Sequence, residues 1–582
     1  MARPGRTDSD GRTAVTGAGQ NRAVAVVAVA VGERGGGALR PLDAAGRPLG
    51  AVELVDDLPG AVAARESAER PRWVWGSGTA VYPTLWRAGV RVERCHDVEL
   101  TEALLLGHAG RWGEPRSLAA AFARLTGAAV PPDPPPRPPA PPGHGQAALF
   151  EAVPGPPAPG IDTVTRVYAD QLARIAATAH PGRFRLLVAA ESAGALVAVE
   201  MAAAGLPWRA DVHDALLAEL LGEPSPVGGP PRRLAELAAR IAEALGVRQL
   251  HTDSPAELLR AFARVGVDLP NTRAWVLRGV DHPAVPLVLE YKELYRLWTA
   301  HGWAWRDAWV REGRFRPEYV PGGVVSGRWA TRGGGALQIP KVIRRAVVAD
   351  PGWVLVVADA GQLEPRVLAA VSGDARLATA GAAGDLYAAL ARDSFGGDRA
   401  RAKLALLGAM YGQTGGGALP ALAVLKRSYP TAFGFLEAAA RTGEAGGLVR
   451  SWLGRTCPPG TAGLGDDDTP PDPDAGSDPR SPRVRAARSR GRFTRNFVIQ
   501  ATAAEWASTL LATLRGELAG TGGELVFFQH DEVVVHCPAE LAPAVVEAVR
   551  RSGARASTLL CGDSPVRFPL DLSVVDCYAN AT

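Results

Sequence analysis

The stretch WVLVVADAGQLEPRVLAAVSGD, residues 353–374, joins a strand to a helix and places a carboxylate between them. Residues 354–357 form an apolar run that is typical of a buried strand. Asp359 follows at the exit of this strand, and Pro365 can occupy the first turn of the helix. A carboxylate there can hold a divalent cation or cap the helix, and this segment alone leaves both readings open.

A second segment, ELVFFQHDEVVVHCP (residues 524–538), predicts a β-hairpin. Two apolar strand runs flank His530, Asp531 and Glu532, which therefore lie at the tip of the hairpin. Adjacent carboxylates at a tight turn are often only solvated turn formers, but an acidic tip can equally supply a metal ligand.

A third segment, RARAKLALLGAMYG (residues 399–412), predicts a helix with a functional face. Arg399, Lys403, Leu407 and Tyr411 recur every four residues and so form one stripe. Two cations above an aromatic ring suit a triphosphate held beside a stacked base. The alternative is an amphipathic helix whose cations extend into solvent. Lys403 is one of only four lysines in this arginine-rich chain.

The three segments together resemble, in the same order, the three motifs of family A DNA polymerases, the DNA polymerase I type. The family forms are D-Y-S-Q-I-E-L-R-V-L-A, R-x-x-x-K-x-x-x-F-G-x-x-Y-G and H-D-E. Two flanking segments, SGRWATRGGGALQIP (326–340) and RNFVIQATAAEW (495–506), resemble T-G-R-L-S-S…L-Q-N-I-P and F-N-x-P-x-Q-G-T-A-A-D of the same family. The resemblance covers roughly residues 250–580.

The resemblance implies an α+β, multidomain right-hand polymerase with palm, fingers and thumb. It also implies a DNA-directed DNA polymerase that binds primer-template DNA and deoxynucleoside triphosphates with two Mg²⁺ ions, or Mn²⁺. Asp359 and Asp531 would hold the metal ions, and Glu532 would assist them in catalysis. The implied nucleotide-binding residues are Gln362, Glu364, Arg399, Lys403, Leu407 and Tyr411. The implied DNA-binding residues are Arg328, Gln338, Arg366, Asn496, Gln500 and His530.

Some positions depart from the family pattern. Ala360-Gly361 stands in place of Tyr-Ser, Pro365 in place of Leu, and Leu407 in place of an aromatic residue. These changes lie at the expected nucleotide pocket, so an alternative is a polymerase fold that binds DNA without extending it. A third reading, an exonuclease without synthesis, is disfavoured because the residues for synthesis are the ones present. The expected role is DNA repair or gap filling.

Composition divides the chain into three regions. Residues 22–128 predict a small α/β unit, and residues 129–160 are a proline-rich linker. Residues 161–582 predict the polymerase domain, with the thumb at about 161–320 and palm and fingers at about 321–582. Within the last part, residues 458–490 join an acidic tract to an arginine run and predict a disordered insertion.

The first unit resembles the ribonuclease H-like 3′–5′ exonuclease domain that precedes the polymerase in this family. The segment VRVERCHDVELTEALLLGH (90–108) resembles an exonuclease motif and places Asp97. The expected D-x-E of the first strand is missing from AVAVVAVAV (23–31), so we predict a degenerate, inactive exonuclease fold. A 5′-nuclease region is also expected to be lacking.

The linker contains Gln146-Ala-Ala-Leu149-Phe150, which resembles the Q-x-x-L-F peptide that docks bacterial polymerases on the sliding clamp. The alternative is that Leu149 and Phe150 attach the linker to a neighbouring domain.

Overall composition restricts the remaining function classes. A net charge of +4 does not by itself indicate a nucleic-acid binder. No run of 18 apolar residues and no signal-peptide pattern are present, and five scattered cysteines suggest reduced thiols. We therefore expect a cytoplasmic, nucleoid-associated monomer.

Overall fold

The computed structural model describes residues 25–135, 160–225, 228–332, 335, 339–412, 418–459 and 482–581. Gln338 and the proposed clamp-binding residues Gln146, Leu149 and Phe150 lie outside these ranges.

The N-terminal unit is a five-stranded mixed sheet covered by helices. Its elements are β1 (Val26–Val31), β2 (Gly37–Leu42), β3 (Glu53–Val55), α1 (Leu58–Glu69), β4 (Arg72–Trp75), α2 (Gly78–Arg87), β5 (Arg94–Asp97), α3 (Val98–His108), α4 (Leu118–Thr126) and α5 (Ile161–Ala176). The strand order is β3-β2-β1-β4-β5. The first three strands in sequence are antiparallel, whereas β4 and β5 continue parallel to β1. The β-branched run of β1 therefore lies at the centre, where both faces are covered.

Helix α5 belongs to this unit, so the predicted start of the thumb at residue 161 is wrong. Ile161, Val164 and Val167 of α5 pack in one apolar cluster with Val26 and Ala28 of β1. The sequence placed the boundary at the end of the proline-rich linker. The apolar face of α5 nevertheless finds its partner in the sheet that precedes the linker.

The N-terminal unit and the rest of the chain share a long helix, α6 (Pro181–Ala204). It packs on α2 and β5 on one side and on strands and helices of the C-terminal part on the other. Among the described helices, α6 alone has the length and apolar content of a membrane span, and 61% of its most apolar window is buried inside the protein. Burial between two units explains why it is apolar all round.

A helical region with short strands follows. Its elements are β6 (Leu206–Pro207), α7 (Ala210–Leu221), α8 (Arg232–Ala244), α9 (Pro255–Arg264), α10 (Ala274–Leu277), α11 (Ala284–His301), α12 (Trp303–Trp309), β7 (Val310–Arg311), β8 (Arg314–Phe315), β9 (Glu318–Val320) and β10 (Ala330–Arg332). The apolar spacing of α8 is a clear example of the helical period, because Leu234, Leu237 and Ile241 face one core.

The remaining chain forms a second sheet and a helical layer. In order, it contains β11 (Trp353–Ala360), α13 (Leu363–Val371), α14 (Ala375–Gly381), α15 (Leu386–Ser394), α16 (Arg399–Tyr411), α17 (Ala418–Ser428), α18 (Pro430–Glu444), α19 (Pro482–Glu517), β12 (Glu524–Gln529), β13 (Glu532–Pro538), α20 (Ala542–Cys561) and β14 (Leu570–Val575). The antiparallel strand order is β12-β13-β11-β14. Side chains of β11 alternate between two cores, with Val356 and Ala358 on one side and Leu355 and Val357 on the other.

The predicted disordered insertion at 458–490 is wrong over its last residues. Residues 482–490 begin α19, a helix of 36 residues. Arg490 is buried there and donates to the carbonyl oxygens of Pro458 and Gly447. Residues 460–481 lie outside the described ranges. The arginine run looked unstructured because it lacks an apolar period, but it is anchored through backbone acceptors rather than apolar packing.

Candidate active site

The two carboxylates predicted as metal ligands meet at the end of the second sheet. Asp359 is the penultimate residue of β11, and Asp531 lies in the turn between β12 and β13. The turn is held against β11 because the Ala360 amide donates to the Asp531 carbonyl oxygen at 3.1 Å. His530 adopts a left-handed conformation (φ 57°) that allows the tight turn. The N-cap of α13 is Gln362, so Asp359 does not cap that helix.

Both carboxyl groups have raised pKa values. Burial, and after it the neighbouring charge of Asp359, raise the pKa of Asp531 to about 7. Burial also raises the pKa of Asp359, together with the charges of Glu532 and Asp571, which pair with it across the sheet. Like charges in a partly buried site disfavour ionisation unless a cation compensates them.

Glu532 lies beside Asp359 across the sheet, and its carboxylate is anchored by other groups. Its carboxylate accepts a hydrogen bond from the Tyr578 hydroxyl and lies 3.6 Å from a guanidinium nitrogen of Arg344. The Arg344 guanidinium in turn lies 4.2 Å from the centre of the Tyr578 ring. Glu532 therefore shapes the charge around Asp359 from a fixed position.

Nine of the predicted site residues line a single pocket of about 370 Å³. The predicted residues that line it are Arg328, Asp359, Gln362, Glu364, Tyr411, Asn496, Gln500, His530 and Asp531. The substituted positions Ala360 and Pro365 line it as well. Residues that are far apart in sequence thus converge on the carboxylate pair.

Glu364 connects two walls of this pocket. Its Oε1 atom accepts from an Arg328 guanidinium nitrogen at 2.7 Å, and its Oε2 atom accepts from the Tyr411 hydroxyl at 2.8 Å. Burial and the Glu364 charge both raise the pKa of Tyr411, so its hydroxyl stays protonated as the donor. Both carboxylate oxygens accept hydrogen bonds, which fixes the Glu364 side chain in the first turn of α13.

Asn496 and Gln500 lie on the α19 wall of the pocket, four residues apart and so on one helix face. Gln500 is buried, and the Oδ1 atom of Asn496 is buried without a hydrogen-bond partner among the described residues. The family motif has a proline between these two positions. Here Val498 replaces it, and α19 continues through the site without a break.

Arg366, which was predicted to bind DNA, lies in the interior and is bonded to the backbone. It is fully buried, and its guanidinium donates to the carbonyl oxygens of Gly361, Gly381, Ala383, Gly384 and Arg567. Burial lowers its pKa, and the charges of Asp385 and Asp571 partly offset this. Its role is to tie the turn before α13 to the segment before α15.

Arg399, Lys403 and Leu407 lie on α16 as predicted but are not among the lining residues of the pocket. Arg399 donates through Nε to Asp385 at 2.8 Å. The Arg399 guanidinium and the Lys403 ammonium lie 5.6 and 6.0 Å from the centre of the Tyr387 ring. The sequence did not predict Asp385 and Tyr387 as neighbours of Arg399. The only local signal at Asp385 is that of a helix cap.

The donor chemistry of the carboxylate pair fits Mg²⁺. Magnesium is usually bound by one or two carboxylates, with water and substrate phosphates completing its octahedron. Within the described residues, no group of three or more histidine, cysteine or acidic side chains is arranged to hold a metal. Asp359 and Asp531 supply two carboxylates of the kind that such a magnesium site uses.

Asp97 of the N-terminal unit has a different environment. It is 1% exposed, caps α3 through the Leu100 amide and accepts from the Gly78 amide at 2.6 Å. Its own amide donates to the Ser192 hydroxyl of α6. Burial raises its pKa to about 7. Strand β1 reads VVAVAV and carries no carboxylate.

Comparisons with known proteins point to one family. The family model described as DNA polymerase family A matches residues 231–574. A thermostable DNA polymerase I of Thermus filiformis is 32% identical over 321 residues, which cover 51% of this chain and 36% of the relative. A thermostable DNA polymerase I of Thermus thermophilus is 28% identical over 341 residues, 52% of this chain and 37% of the relative.

The similarity of fold extends further than the similarity of sequence. The polymerase domain of Pol1 from M. smegmatis, solved with a DNA primer-template and a dNTP, superposes with a TM-score of 0.65. The match covers 96% of both chains at 18% identity. The chain therefore shares a fold with that domain nearly throughout, whereas the matched region spans little more than a third of the curated relatives.

Proposed function

The chain belongs to DNA polymerase family A, and from this premise we propose that it extends a DNA primer by template-directed nucleotidyl transfer. The observation that carries the proposal is the convergence of Asp359 and Asp531 on one pocket with Arg328, Glu364 and Tyr411. The family fold, confirmed over nearly the whole chain, supports DNA and nucleotides as substrates.

Asp359 and Asp531 would hold two Mg²⁺ ions, with Mn²⁺ as a substitute. Bound there, the ions would supply activation of the attacking hydroxyl and charge stabilisation for the leaving pyrophosphate. The raised pKa of Asp531, about 7, fits a site that awaits a cation. Glu532, held by Tyr578 and Arg344, adds negative potential beside Asp359 without leaving its anchor.

The other walls of the pocket would position the substrates. Glu364, fixed by Arg328 and Tyr411, presents a rigid edge to the sugar of the incoming nucleotide. Asn496 and Gln500 offer amide groups to the primer-template minor groove, whose acceptors vary little with sequence. Arg399 and Lys403 would neutralise the triphosphate, which suits a preorganised electrostatic role.

Primer extension tests the proposal. Purified wild-type protein should extend a primer with Mg²⁺ and four deoxynucleotides, whereas Asp359→Ala and Asp531→Ala should not, although both should still bind DNA. Asp57→Ala, which alters an exposed helix cap of the N-terminal unit, is the matched control and should extend normally. Wild-type protein that binds DNA but fails to extend with Mg²⁺ or Mn²⁺ would favour the alternative, a non-catalytic DNA-binding protein.

The N-terminal unit is proposed to be an exonuclease-like fold without activity. In support, Asp97 is covered by α6 and committed to two backbone amides, and β1 carries no carboxylate. A nuclease that cleaves by metal catalysis needs exposed carboxylates. Degradation of a 5′-labelled single strand by Asp531→Ala protein would contradict this, because that variant lacks the polymerase site alone.

We also propose a role in repair or gap filling. Docking on a sliding clamp is a separate proposal. Clamp binding rests on Gln146, Leu149 and Phe150 of the linker, outside the described ranges. A tethered peptide would raise the local concentration of the enzyme at primer ends. A clamp pull-down in which Leu149→Ala and Phe150→Ala proteins bind as well as wild type would refute it.

A further inference from the structure

One carboxylate outside the predicted site joins three elements around it. Asp385 is the N-cap of α15, where its Oδ1 accepts from the Ala388 amide. The same Oδ1 accepts from Nε2 of Gln362 at 2.9 Å, in the turn that follows Asp359. Its Oδ2 accepts from Nε of Arg399 at 2.8 Å, at the start of α16. Asp385 therefore connects the carboxylate end of β11 to the first residue of α16.

The segment that carries Asp385 is held in place by hydrogen bonds with the residues that follow β11. The Leu386 amide donates to Oε1 of Gln362 at 2.9 Å. The buried guanidinium of Arg366 donates to the carbonyl oxygens of Gly381 and Gly384. The segment before α15 is thus held from two sides, and a carboxylate placed on it has little freedom to move.

The other partner, Arg399, is exposed and needs such a support. A free arginine side chain loses about 2 kcal/mol of rotamer entropy when it is ordered by a ligand. Only its Nε atom is bonded to Asp385, and its terminal nitrogens have no hydrogen-bond partner within the described residues. The guanidinium lies over the buried Tyr387 ring, which also faces Lys403. Terminal guanidinium nitrogens are the donors that grip phosphate in pairs.

We propose that Asp385 is a positioning residue that holds Arg399 over Tyr387, with its terminal nitrogens ready for the phosphates of an incoming nucleoside triphosphate. This inference rests on the proposed function and deepens it by naming how the triphosphate cation is oriented. Asp385 does not contact the nucleotide and acts only through Arg399.

The charge state of Asp385 agrees with this role. Burial raises its pKa, but the hydrogen bonds from Arg399 and Gln362 outweigh that effect and lower the pKa to about 2. The carboxylate is therefore ionised throughout the neutral range and can support a charge-assisted hydrogen bond.

Asp385→Asn tests the proposal, since it keeps the shape and the helix cap but removes the charge. Nucleotide affinity is measured by titration on a primer that ends in a dideoxynucleotide, so that no chemistry intervenes. We expect the Kd for the matched nucleotide to rise about tenfold, as for the loss of one charge-assisted hydrogen bond. The kcat for extension of an ordinary primer should stay within about twofold, because the carboxylate pair is untouched.

Two further variants separate positioning from general loosening. Arg399→Ala should weaken nucleotide binding at least as much, and the double variant no more than Arg399→Ala alone, because both changes act through one side chain. Asp393→Asn is the matched control. Asp393 pairs with Arg376 and accepts from Tyr429 at the far end of α15, away from the pocket. It should leave the Kd unchanged.

The possible outcomes distinguish a failure of the positioning role from a failure of the proposed function. An unchanged Kd for Asp385→Asn, an equal rise for Asp393→Asn, or multiplying effects in the double variant would each overturn the positioning role. Wild-type protein that binds nucleotide on the blocked primer but never extends an ordinary one would end the proposed function and leave the binding comparison valid. Normal primer extension by wild-type protein, together with an unchanged nucleotide Kd for Asp385→Asn, would overturn the positioning role and leave the proposed function intact.

Discussion

Asp531, which is partly buried, and Asp97, which is fully buried, are two carboxyl groups with raised pKa values and different surroundings. Burial is the largest cause of the raised pKa in both, which is about 7 in each case. The second-largest influence on the pKa differs between the two groups. Asp531 faces the like charge of Asp359, whereas Asp97 is stabilised by hydrogen bonds from the Leu100 and Gly78 amides. A perturbed pKa therefore marks a candidate active site only when a charge conflict and an open pocket accompany it.

The largest expected difference between these two groups is in synthesis. Asp531→Asn should reduce the rate of primer extension by about 10³-fold or more, because a metal ligand contributes several kcal/mol to the transition state. Asp97→Asn should extend within about threefold of wild type. Single-turnover extension at saturating Mg²⁺ measures both. A comparable loss in Asp97→Asn protein would mean that the N-terminal unit takes part in the chemistry, and the contrast would fail.

The next difference concerns pH. An acid whose folded pKa is raised keeps its proton while the unfolded chain releases it, so the free energy of unfolding falls as pH rises from about 4 to about 7 and then levels. Each group contributes at most about 1.4 kcal/mol per pH unit over that window. Mg²⁺ should abolish the contribution of Asp531, because a bound cation favours the ionised form, and should leave that of Asp97 unchanged.

Urea unfolding between pH 4.5 and 8, with and without Mg²⁺, measures these slopes as differences between wild type and each Asn variant. Glu505, which is buried with a pKa raised to about 7, contributes equally to every variant and cancels. A Mg²⁺-sensitive slope at Asp97 would show a metal site where the structure has only backbone donors.

The sequence predicted site residues correctly where they lie within a recognisable local pattern of strands and turns. The hairpin follows from two apolar runs around a polar tip, and the structure has its strands at Glu524–Gln529 and Glu532–Pro538, with Glu532 in the second strand rather than at the tip. Asp359 was placed at the exit of a buried apolar run, and the structure has it one residue before the end of β11. Both inferences use only neighbouring residues.

The failures all involve partners that are distant in sequence. Arg366 matches a motif position, but its five carbonyl acceptors belong to segments up to 201 residues away. Helix α5 looks like the start of a helical domain until its apolar face meets β1. Asp385 carries only the signal of a helix cap, and its bond to Arg399 exists only in the folded chain. Tertiary contacts decide such roles, and periodicity carries no information about them.

The smallest expected effect is on stability, and it runs opposite to the effect on synthesis. Asp97→Ala should lower the free energy of unfolding by about 2–3 kcal/mol, since it removes a helix cap and leaves the Gly78 amide buried without an acceptor. Asp57→Ala removes a comparable cap on the exposed α1 and should cost about 1 kcal/mol. Asp531→Ala should be neutral or slightly stabilising without Mg²⁺, because it relieves repulsion with Asp359. Chemical denaturation of the three variants gives the order, and a destabilised Asp531→Ala protein would show that its carboxylate is held by the fold rather than kept for a cation.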